Sequence, residues 1–191
     1  MKKIITALML VMLSVPMLRS QSSEEHLKFK GIPITGSKEK FVKELKKQGF
    51  KSLDADEEIL EGVFAQQNCP IVISTTPITK EVYSVSVVFE NFNTWTEIKY
   101  KFNQLEEQLY KKYKVSPEYI KEFAYPYEEG DGYEMVAIEL GKCIYISRFK
   151  VTNGTIQISI SKSGRIFLGY FDSEGKILDK QEESQLLQSD L

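Results

Sequence analysis

The chain has 191 residues, 25 basic against 27 acidic side chains, one histidine and two cysteines, and it is 42% hydrophobic and 12% aromatic. This content excludes a disordered chain, and a mildly acidic balance without basic runs argues against nucleic acid or an anionic membrane surface as partner. A lone histidine excludes His-based metal clusters. No P-loop, dinucleotide fingerprint, Gly-x-Ser-x-Gly or His-Glu-x-x-His motif occurs, so no cofactor is expected.

Lys2 and Lys3 open the chain, and an apolar run from Ile4 to Leu18 follows, interrupted by Thr6, Ser14 and Pro16. At roughly 15 residues it falls short of the ~20 that a spanning helix needs. Polar residues from Arg19 to Ser23 come next. Residues 1–20 therefore read as a cleaved signal peptide, with Gln21 as the mature start and a periplasmic or secreted location. No cysteine near this boundary is placed to carry a lipid, and no membrane span is expected after cleavage. Loss of Lys2, Lys3 and Arg19 leaves 22 bases against 27 acids, a balance of −5. The remainder suits one domain over residues 21–178, with a polar tail, 179–191, expected to fray.

Along that domain, His26 to Ile32 alternates apolar and polar residues and predicts a strand, with a turn at Pro33 to Gly36. Ser37 is placed to cap a helix carrying Phe41, Val42 and Leu45, which Gly49 ends. Ile59 to Ala65 and Ile71 to Ile73 predict strands around a Gln66–Asn68 turn, and Tyr83 to Phe89 a third. Thr94 and Glu97 form a capping box ahead of the stripe Trp95, Ile98, Phe102, Leu105 and Leu109. Lys99, Lys101, Glu106, Glu107 and Lys111 are assigned to that helix's outer face, and its end is expected near Lys114.

Glu118 to Gly132 reads as a looser segment. Four strands are then predicted at Tyr133–Leu140, Cys143–Phe149, Thr155–Ser161 and Arg165–Phe171, joined by turns at Gly141-Lys142, Asn153-Gly154 and Lys162–Gly164. Asp172 to Gly175 turns again. The pattern predicts an α+β, two-layer fold with an antiparallel sheet covered by two helices. Residues 26–90 and 94–171 read as halves of a tandem helix-plus-meander repeat, each with a second strand that opens on a cysteine (Cys69 and Cys143).

This element order resembles the β-lactamase-inhibitor-protein-like architecture. The segments Glu25 to Ile34 and Val72 to Pro77 are similar to those of secreted proteins of gut Bacteroidetes. The resemblance implies an exported domain that binds a protein or other ligand.

Candidate chemistry is sparse. His26 is expected at a strand edge. Cys69 and Cys143 are disulfide candidates in an oxidising compartment, or else two buried small hydrophobes. No metal site is expected. Glu61 and Glu139 are the acids to inspect for paired-carboxylate hydrolysis. The richest segment for recognition carries Tyr119, Phe123, Tyr125, Tyr127 and Tyr133 among acids and two glycines, and aromatic rings with polar tips suit protein interfaces and sugar faces. The expected function is that of an exported, non-enzymatic binding module for an extracytoplasmic protein or glycan. A small secreted hydrolase and a structural envelope component are the alternatives.

Overall fold

Residues alternating between apolar and polar build a single antiparallel sheet of eight strands. The computed structural model describes residues 26–190 apart from 54, 56 and 91, so the expected signal peptide and the start at Gln21 lie outside the described residues. A short hairpin, β1 (Lys28–Phe29) and β2 (Ile32–Pro33), leads into helix α1 (Lys38–Lys47). A first meander follows: β3 (Lys51–Ser52), β4 (Ile59–Phe64), β5 (Gln67–Thr75) and β6 (Val82–Phe89). Helix α2 (Trp95–Tyr113) then precedes β7 (Glu118–Phe123), the short helix α3 (Glu134–Glu139), β8 (Cys143–Val151), β9 (Gly154–Ile160), β10 (Ile166–Asp172) and helix α4 (Ser173–Ser189).

The strand order is β3-β4-β5-β6-β10-β9-β8-β7. The last strands of the two meanders thus meet at the centre, with Phe89 opposite Ile166 and Ser84 opposite Phe171. On one face Leu60, Ile71, Val85, Val87, Ile156, Ile158 and Leu168 are buried and join Phe41 and Leu45 of α1 and Ile98 and Phe102 of α2 in one core. Each such side chain contributes roughly 1.5–3 kcal/mol on leaving water.

The α+β antiparallel fold expected from the pattern is present, and α2 carries its expected ends. Thr94 accepts from the Glu97 N–H while the Glu97 carboxylate accepts from the Thr94 N–H, and Lys114 stops the helix in the left-handed region at φ 56°. Ser37 occupies the N-cap position of α1, but its side chain makes no capping bond.

Several local expectations are corrected. His26 to Ile32 is not one strand: Lys30 and Gly31, at φ 48° and 83°, turn it into the β1–β2 hairpin. The β4–β5 turn falls at Ala65 and Gln66. Glu118 to Phe123 is a sheet strand rather than a loose segment. Tyr133 to Leu140 is mostly helix, because Glu134, Ala137 and Ile138 are its buried positions and recur at helical spacing. The expected fraying tail is largely α4, started by Asp172, whose side chain accepts from the Gly175 N–H.

Helix α4 docks on the reverse face of the sheet through polar groups. Lys176 lies 5.0 Å from the ring of Tyr83 and 5.9 Å from that of Phe171, which points away from the face holding Leu168 and Tyr170. Asp179 and Glu182 are buried, whereas Ile177 and Leu187 are exposed. Glu182 accepts from the backbone N–H groups of Ile78 and Thr79 at 2.6 and 3.0 Å and from the Thr79 hydroxyl.

Candidate functional site

The aromatic segment is split between core and surface. Phe123 packs edge-on against Trp95 at 5.4 Å between centroids, and Trp95 packs in turn against Tyr145, so Phe123 serves the core. Tyr127 is half-buried. Tyr119, Tyr125 and Tyr133 are exposed, Tyr125 by 93%.

Exposed apolar residues continue beyond the predicted segment. Ile120 and Ile144 lie on adjacent strands, and Val136 and Leu140 follow Tyr133 at helical spacing along α3. Together they form a margin along β7, the terminal strand of the sheet, whose outer edge has no neighbouring strand among the described residues. The strand is anchored inward. Lys121 donates to both Glu106 carboxylate oxygens at 2.9 Å, and Ser147 donates to the same carboxylate. The phenol of Tyr145 beneath them is pushed up to about 12 by burial, with Glu129 and Glu106 adding to the effect.

The cysteines do not pair. Both are free, and three strands (β6, β10 and β9) separate β5 from β8, so Cys69 and Cys143 stand about 19 Å or more apart across the sheet. A disulfide requires Cα atoms within about 7 Å. Nor do they hold corresponding places, because β5 is the third strand of its meander and β8 the second. Burial raises the Cys143 thiol to about 11, with Glu129 contributing, and burial also raises Cys69.

Other candidates disperse. Glu61 lies on β4 and Glu139 on α3 beside β8, toward opposite edges of the sheet, so the structure does not bring this pair together. His26 is buried rather than at a strand edge, with Nδ1 3.1 Å from Asp172. Among the described residues no group of three or more His, Cys, Asp or Glu side chains is placed to hold a metal ion.

A second feature escaped the sequence reading. One flank of α2 presents Lys101, Gln104, Leu105, Gln108, Leu109 and Lys112 to a cleft of ≈ 530 Å³. Leu168 and Tyr170 of β10 also line it, as do Phe64 and the Ala65–Gln66 turn. Both turn residues lie in the left-handed region, at φ 47° and 65°, although neither is glycine. Lys101 is 9% exposed, not on the outer face, and its ammonium sits 4.7 Å from the centroid of Phe89. Burial pulls its pKa below the usual lysine range, and the neighbouring Cys69 offsets part of that. The signal was present in the sequence. Lys101 stands three residues after Ile98 and four before Leu105, inside the apolar stripe.

No protein-family model matches the chain, and neither the curated proteins nor the solved structures give a match. Among the described residues no helix is long and apolar enough to cross a membrane.

Proposed function

We propose that the protein is an exported, non-enzymatic binding module that engages an extracytoplasmic protein along the margin formed by β7, the loop after it and the outer side of α3. One observation carries the reading. Among the described residues sixteen large hydrophobics are exposed, and seven of them fall between Tyr119 and Ile144, around an edge strand that no other described strand flanks on its outer side. Such patches and open edges are characteristic contact surfaces, and an added strand from a partner satisfies the free edge. Exposed Glu122, Glu128 and Glu139 border the margin, so the complementary partner presents a basic strand with apolar side chains. Export rests on the leader-like first 20 residues. A non-catalytic role is favoured by the separation of Glu61 from Glu139.

The test is capture from envelope and culture-supernatant fractions, with Tyr125→Ala and Leu140→Ala on the margin and Ile177→Ala on α4 as control. One protein partner held by wild type and control but lost by both margin variants is expected. Capture that ignores the margin variants, enrichment of a glycan instead, or hydrolysis of a substrate that requires Glu61 or Glu139 overturns the reading.

A further inference from the structure

A lysine whose stem is buried ordinarily carries its ammonium out to water or to a carboxylate, because an ammonium held against protein without either loses solvation. Lys121, the partly buried lysine of β7, meets the Glu106 carboxylate at 2.9 Å. Lys101 is the most buried lysine among the described residues, and its ammonium sits at the wall of the cleft, 4.7 Å from the centroid of Phe89. Among the described residues no Asp or Glu is ion-paired with it. An aromatic face supplies part of what a charge loses on burial, but less than an anion does.

The space around Lys101 has matching chemistry. None of the residues lining the cleft is acidic, although acids outnumber bases in the chain, and the lining carries a second cation, Lys112. Leu105, Leu109 and Leu168 give it an apolar lining, while the amides of Gln66, Gln104 and Gln108 add polar groups. Its volume falls within the range of sites for small organic molecules. An inorganic anion would leave the apolar lining unused, and a neutral apolar molecule would leave the ammonium uncompensated.

We infer that the cleft between α2 and the β4–β5 turn binds a small amphipathic carboxylate, its anionic head on Lys101 and its apolar body against Leu105 and Leu168. The site lies on the flank of α2 away from β7 and stands independently of the proposed partner margin.

Purified protein is titrated calorimetrically with laurate and, in parallel, with dodecanol, which has the same chain and no charge. Saturable one-to-one binding of laurate is expected, with dodecanol at least about tenfold weaker. Lys101→Met weakens laurate at least about tenfold, while the ligand-free variant keeps a cooperative melting transition at the wild-type temperature or above. That retained transition separates lost binding from lost folding. Lys101→Arg keeps the preference for laurate over dodecanol. Equal binding of the two probes, undiminished laurate affinity in Lys101→Met, or no binding of laurate below its micelle-forming range overturns the inference.

Discussion

His26 and Asp172, 146 residues apart in sequence, meet at 3.1 Å in the interior, where both are almost wholly buried. The same carboxylate accepts the Leu27 N–H at 2.8 Å and the Gly175 N–H at 2.9 Å. Asp172 therefore fastens the first described residues to the end of β10 and also begins α4. Replacing it with alanine strands buried donors, and Asp172→Ala is expected to cost about 3 kcal/mol. Asp172→Asn keeps an acceptor oxygen and costs less. Urea denaturation measures both, and a loss below about 1 kcal/mol for the alanine variant would remove Asp172 from this role.

Acid should release α4 before it unfolds the sheet. Burial works against the Glu182 carboxylate, but the hydrogen bonds from Thr79 and Ile78 outweigh it and hold its pKa below the ordinary 4.5. A depressed folded-state value means that the contribution is complete above pH 4.5 and fades as pH falls through the lower folded value. Hydrogen exchange of the α4 amides, corrected for the intrinsic rate at each pH between 7 and the acid range, should accelerate in step. Glu182→Gln should exchange readily throughout. Corrected exchange in wild type that stays flat with pH contradicts the latch.

Both thiols should be countable and slow. Under non-reducing conditions in denaturant, the two cysteines titrate as two free thiols. In the folded protein at neutral pH both resist alkylation, since burial raises their pKa values and leaves little thiolate. A mass consistent with an intramolecular disulfide would contradict the observed topology.

Two glycines allow a graded test of packing. A Cβ on Gly154 would lie 2.2 Å from the backbone oxygen of Phe171, which cannot move aside cheaply. On Gly169 it would meet the Phe171 ring at 2.6 Å, the end of a side chain that can swing away. Gly154→Ala is expected to cost about 3 kcal/mol and Gly169→Ala about 1 kcal/mol. Thermal denaturation gives the order, and the reverse order would show that the ring is the less yielding obstacle.

What could be read from the sequence follows how each element is stabilised. Helix α2 and the strands Ile71–Ile73, Cys143–Phe149 and Thr155–Ser161 bury one apolar face, so their periodicity marks them. Helix α4 offers no such stripe, because its buried positions are Gly175, Asp179 and Glu182. Its signals lay in the N-cap Asp172 and in a run of good helix formers. Strand β7 is an edge strand whose inward positions include Lys121, so polar residues fall on both faces and the alternation is lost. Helix α3 carries Val136 and Ile138 two residues apart, which imitates a strand within a six-residue element. Of the aromatic segment, composition located the exposed margin but could not separate Phe123, claimed by Trp95, from Tyr125. Lys101 was hidden by its residue type, since lysine is so often solvated.

The central β6–β10 ladder has a kinetic consequence. Every other ladder in the sheet joins strands that are consecutive along the chain, and each closes after an excursion far shorter than the seam's, the longest being the α3 segment between Phe123 and Cys143. The seam joins residues 84–89 to 166–171, and its direct closure from an open chain would constrain a loop of about 80 residues. Once β7 to β10 have zipped locally, most of that entropy has already been lost and the seam closes at small further cost. Pulse-labelled hydrogen exchange should therefore protect amides of β4–β5 and β8–β9 before those that bridge β6 and β10, with two independently nucleated sheets joining along one late seam.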